Sequence, residues 1–124
     1  NLKILKLSGN SFDRAIEKKL KEAQVIVREV VDPETALNLL LRNRFDIFIH
    51  NEIDTLYWIN HLNLGEQINT SPQRINPGEG AFLIFSRKLN GYGQELRDTF
   101  NKSLKSMLDD GTIKRITNSY ISSN

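Results

Sequence analysis

Apolar and polar positions along this chain switch repeatedly between a period of two and a period near 3.6. Ile4-Leu5-Lys6-Leu7 has the length and composition of a short strand. Phe12, Ala15, Ile16, Leu20 and Ala23 then recur on one helical face. Ser11 is placed to cap that helix, with Arg14 where a capping box would carry glutamate. Val25 to Val30 is rich in β-branched residues and predicts a second strand. Asp32-Pro33 supplies an N-cap and a proline at the first helical position, ahead of Ala36, Leu37, Leu40 and Leu41, with Leu39 widening the stripe. The run Ile47-Phe48-Ile49 predicts a central strand buried on both faces. Asn51 then caps a helix whose face carries Ile53, Leu56, Tyr57 and Asn60. The order β-α-β-α-β-α predicts an α/β fold, a mainly parallel sheet with flanking helices and right-handed crossovers.

The second half of the chain has a different texture. Gly65 ends the third helix region, and residues 63–80 are polar and rich in turn formers, with one weak strand at Gln67-Ile68-Asn69. Ala81-Phe82-Leu83-Ile84-Phe85-Ser86 predicts a strong strand, and Asn90-Gly91-Tyr92-Gly93 a turn. Leu96, Phe100, Leu104, Met107 and Leu108 then form a helical stripe, followed by a shorter helix with Ile113, Ile116 and Tyr120. That stripe needs a covering surface. The rest of the chain or a second, swapped copy in a homodimer would provide one.

Composition narrows the chemistry. The 124 residues suffice for one modest core, and 39% hydrophobic with 26% charged is ordinary for a globular protein. Seventeen basic residues against fifteen acidic ones leave a net charge of +2, with the signs interleaved, so no nucleic-acid partner is indicated. With no cysteine there is no disulfide, thiolate nucleophile or cysteine-ligated metal. No apolar run approaches the roughly 18 residues of a membrane span. His50 and His61 stand about 16 Å apart if helical and make no metal pair. Neither a serine nucleophile elbow nor a histidine-paired base is present, and no cofactor is called for. His50 and Asn51 fall where a strand gives way to a helix, the edge at which open α/β sheets bind ligands. The plainer alternative is that Asn51 only caps and His50 only makes a local hydrogen bond. Trp58, Tyr57 and Phe48 are assigned to the core rather than to a ligand stack.

Taken in order, four stretches resemble the amino-acid-binding family of type 2 periplasmic solute-binding proteins. They are the strand ending in Ser8-Gly9-Asn10-Ser11, the segment from Ala36-Leu37 through Arg44-Phe45-Asp46, the strand Ala81–Ser86 with Arg87-Lys88, and the run from Glu95-Leu96 to Asp110-Gly111-Thr112-Ile113 with Ile116. The resemblance implies a periplasmic-binding-protein-like type II fold, with residues 1–80 as the second of two lobes. Residues 81–124 would be the hinge-return strand and the C-terminal helices that complete the first lobe. It also implies a periplasmic or other extracytoplasmic protein that closes on a small polar solute, amino-acid-like, and serves a membrane transporter or receptor. The N-terminal half of the first lobe, which supplies an aromatic wall and an arginine in that family, would lie outside this chain, so weak solute affinity is expected.

On that resemblance the ligand-binding residues are Ser8, Gly9, Asn10, Ser11, His50 and Asn51. The loop at Gly9 would bring backbone N–H groups and two serine hydroxyls to a carboxylate at a helix start. The plainer alternative is a capped helix behind a flexible glycine. Where the family commonly has an aspartate for the ligand ammonium, this chain has Asn51, which offers no full charge and argues against a free α-amino acid. The effector domain of a bacterial transcription regulator shares the two-lobed architecture and is the alternative function. An enzyme module would need a catalytic glutamate from another domain.

Overall fold

Each helix of the first half is bounded by local chemistry that its own residues supply. The computed structural model describes residues 1–75, 83–89 and 91–122. They form two compact units, residues 1–69 with 121–124 and residues 70–120. The boundary expected at residue 80 falls in the stretch 76–82, outside the described residues.

The first unit runs β1 (Lys3–Leu7), α1 (Arg14–Glu22), β2 (Ile26–Val30), α2 (Pro33–Leu41), β3 (Ile47–Phe48) and α3 (Glu52–His61). The three strands are parallel in the order β2-β1-β3. In β1–β2 register, Leu5 faces Arg28 and Leu7 faces Val30. Backbone bonds from Asp46 N–H to the Lys3 carbonyl and from Ile49 N–H to the Leu5 carbonyl (2.9 and 3.0 Å) extend the pairing of short β3.

This order corrects one expectation. The strand at Ile47-Phe48-Ile49 is not central and not buried on both faces. It is a two-residue edge strand whose Ile47 is 39% exposed. The central strand is β1, with Ile4 and Leu5 buried. An apolar run signals contact with other side chains, and a core contact on one face is enough to select it.

α2 is clasped from two sides. Ala36 joins Leu5 and Val30, with Leu7, Leu39, Phe45 and Phe48 packed around them. Leu37 joins Ile59 and Leu64 in a second cluster with Leu40, Leu41, Trp58 and Ile68, and Phe48 touches this one as well. Each fully buried leucine here contributes about 1.5–3 kcal/mol relative to exposure. Trp58 and Phe48 are thus core residues.

All three helices of this unit leave through a left-handed residue: Gln24, Asn43 and Asn63 have φ of 52°, 53° and 55°. The residue after each donates its N–H five positions back, Val25 to Leu20, Arg44 to Leu39 and Leu64 to Ile59. This is the Schellman closure, which satisfies carbonyls that the helix end would otherwise leave open. The third helix therefore ends at His61 and is closed off by Leu62 and Asn63, ahead of Gly65.

The second unit contains a 3₁₀ turn at Arg87–Leu89, α4 (Tyr92–Asp109) and α5 (Thr112–Ile121). Neither long helix has a buried residue. Leu96, Leu104 and Met107 are half-buried, while Tyr92, Phe100, Leu108, Ile116 and Tyr120 are exposed. Gly111, at φ 79°, breaks α4 from α5, and the Asp110 carboxylate accepts the Thr112 N–H at 2.8 Å to start the new helix. Of the strand expected over Ala81–Ser86, Ala81 and Phe82 lie outside the described residues, and Leu83–Ser86 take no regular structure. Residues 67–69 form no strand either.

Candidate functional site

Parallel strands bring their following loops to a common edge. The Ser8–Ser11 loop leaves β1 and the His50-Asn51 pair leaves β3, and these two strands are neighbours. Both segments therefore lie on the carboxyl rim of the sheet, together with Val31 and Asp32 after β2.

The Gly9 loop turns because Gly9 adopts φ +82°, a conformation that disfavours any side chain. A Cβ there would meet nothing within 4 Å, so the requirement is conformational and leaves open space beside the backbone. Two of the loop's N–H groups are committed: Ser8 donates to the Val30 carbonyl at 2.8 Å and Asn10 to the Leu7 carbonyl at 3.2 Å. The N–H groups of Gly9 and Ser11 and both serine hydroxyls have no partner among the described residues.

The helix start differs from expectation. Ser11 does not cap α1. The cap is Asp13, whose carboxylate accepts the Ala15 N–H at 2.9 Å. A carboxylate is a strong acceptor with a favourable charge at the positive helix end, and it outcompetes an upstream serine hydroxyl. The same charge removes the helix terminus as an anion site, so anion recognition at this loop falls to its own N–H and hydroxyl groups.

On β3, both local roles foreseen for His50 and Asn51 are realised. Asn51 Oδ1 accepts the Asp54 N–H at 3.1 Å and caps α3. His50 Nε2 donates to the Asp54 carboxylate at 2.5 Å. The His50 ring stacks on Phe48 with centroids 5.2 Å apart, and its side chain is only 8% exposed. Its Nδ1 is buried without a partner. Asn51 keeps its amide Nδ2 free among the described residues.

One contributor escaped the sequence reading. Lys6 sits in β1 on the face opposite Leu5, and its ammonium bonds Glu29 at 3.1 Å and the Asn10 carbonyl at 3.0 Å. It also lies 5.4 Å from the Phe12 ring centroid. Lys6 thus ties the loop to β2. The signal was present as a lysine flanked by Leu5 and Leu7 inside the strand, where alternation puts it beside Ile4 and not with the core leucines.

The rim offers mainly hydrogen-bond donors: Gly9 and Ser11 N–H, the hydroxyls of Ser8 and Ser11, and the Asn51 amide. Among the described residues no group of three or more His, Asp or Glu could hold a metal ion, and no helix is long and apolar enough to cross a membrane. Comparison with family models, with curated proteins and with solved structures finds no match for this chain.

Proposed function

We propose that this chain supplies one wall of a solute-binding cleft, as a lobe of the periplasmic-binding-protein-like type II kind, acting in transport or sensing outside the cytoplasm. The observation that carries the reading is the shared carboxyl rim: the Gly9 loop and Asn51 follow neighbouring parallel strands. Ligand sites of open α/β sheets gather at that edge. The free N–H groups there donate, and the carboxylates of Asp13, Asp32 and Asp54 are each engaged, by the Ala15 N–H, by Thr35 and by His50. The solute favoured is therefore small, polar and rich in acceptors, with a carboxylate or carbonyl at the Gly9 loop, and an unpaired ammonium is disfavoured. A single wall buries only part of such a solute, so its affinity is weak.

The test is a titration of the ¹⁵N-labelled chain with small carboxylates and neutral amino-acid analogues. Saturable shifts at Ser8–Ser11 and Asn51, in the millimolar range, are expected. Submicromolar affinity would show a complete pocket and overturn the one-wall reading. Absence of any rim shift across the panel would remove the proposal altogether.

A further inference from the structure

At the other rim of the sheet the chemistry is reversed in kind: a cavity with an apolar floor and a basic border. Lys3 and Ile26 open strands β1 and β2, and Arg44-Phe45 lies just before β3, so the site is at the amino-terminal end of the strands. Together with Arg28 and Leu39 these residues line a cavity of about 430 Å³. Strand alternation puts Lys3, Ile26 and Arg28 on the face that carries Leu5, and Leu39 and Phe45 pack against that same cluster. The volume falls within the roughly 300–1,000 Å³ usual for small-ligand sites.

The charges are the second observation. Lys3, Arg28 and Arg44 form no ion pair and no side-chain hydrogen bond among the described residues. The acid close in the fold, Asp46, has its carboxylate on the Lys3 backbone N–H at 2.8 Å. Lys6 and Lys18 on this unit are matched, by Glu29 and Glu22; Arg14, Lys19, Lys21 and Arg42 are unpaired among the described residues but do not line this cavity. A smaller cavity beneath α1, about 210 Å³, shows the contrast: its lysines Lys6 and Lys21 share it with Glu17.

We propose that the larger cavity binds a small amphipathic anion, a medium-length alkyl carboxylate being the simplest case. The tail would lie on Ile26, Leu39 and Phe45, and the head group would meet the guanidinium forks of Arg28 and Arg44, which match carboxylate geometry better than an ammonium does. Long basic side chains also cover apolar surface while their heads stay in water. That solvated arrangement gives no preference for an anionic head, which makes the head group the discriminating variable.

The experiment titrates the ¹⁵N-labelled full chain with decanoate and, separately, with neutral decanol, and follows the same titrations by calorimetry. Decanoate is expected to shift Lys3, Ile26, Arg28 and Phe45 saturably, and to bind roughly tenfold or more tightly than decanol. The double variant Arg28→Gln/Arg44→Gln, altered only at exposed positions, should remove that preference. Rising sodium chloride should weaken decanoate binding to the unchanged protein, a readout independent of any substitution. Equal binding of decanol, an unaltered preference in the double variant, or no saturable shift at these residues would overturn the proposal. Shifts appearing only at Ser8–Ser11 and Asn51 would do so too, and would speak instead for the carboxyl rim.

Discussion

The two units of this chain use apolar residues in opposite ways. In the first, Ile4, Leu5, Val30, Ala36, Leu37, Ile59 and Leu64 are all buried, and they account for every buried hydrophobic residue among those described. In the second, α4 and α5 have equally periodic apolar stripes and bury none of them. Periodicity therefore specifies which face of a helix seeks cover, and only tertiary partners decide whether cover is found. A parallel sheet gives its helices a ready surface, whereas two helices joined at Gly111 give each other little.

Core truncation offers the sharpest way to break this contrast. Leu37→Ala should cost about 2–5 kcal/mol, because Leu37 is fully buried between α2 and α3. Phe100→Ala, at a 40% exposed position, should stay within about 0.5 kcal/mol. Urea titrations followed by Trp58 fluorescence and by helical circular dichroism would measure both, since Trp58 is the chain's only tryptophan and packs in the first unit's core. A large Phe100→Ala cost that grows with protein concentration would reveal a second copy on the α4 face.

A finer test uses α1, which belongs to the first unit but, like α4 and α5, has no buried residue. Its exit residue Gln24 holds φ 52° with a side chain that disfavours that conformation. Gln24→Gly should gain about 1 kcal/mol. A rise in the midpoint of Trp58 unfolding would show that α1 is cooperative with the core. A gain confined to hydrogen exchange within α1 would align this helix with the second unit.

The smallest effect is expected in acid. The Thr112 hydroxyl, and then its backbone N–H, hold the Asp110 carboxyl below the usual aspartate range, against a slight opposing effect of burial. A depressed carboxyl stabilises the fold above its unfolded pKa, and that contribution fades as pH falls through the lower folded value. Helical signal from α5 should decline slightly below the ordinary aspartate range while Trp58 emission holds steady. Asp110→Asn, which keeps an acceptor but no charge, should flatten the decline.

Much of the first unit was legible in the chain. The alternation of strands and helices, the Asp32 cap with Pro33 and the Asn51 cap all follow from signals within a few residues of one another. What escaped depends on partners distant in sequence. The edge position of β3 is set by β1, which lies far earlier in the chain (Ile4 pairs in register with Ile47). The clasp of Lys6 on Glu29 joins two strands. Asp13 displaced Ser11 because two acceptable caps stood two residues apart, and the charged one prevails. The rim's composition was readable residue by residue, but the existing commitments of Ser8, Asn10, Asn51 and Asp54 became visible only with their partners in place.

Phe48 links the interior of the first unit to the end of its sheet. One ring lies against both hydrophobic clusters on its inner side and against the His50 imidazole on its outer side. Whatever displaces that imidazole, a guest molecule at the sheet's end or a change at Asp54, alters the outer contact of a ring shared by the two halves of the interior. Trp58 stands in the second of those halves, so its emission would register an event at the sheet's end without touching the guest.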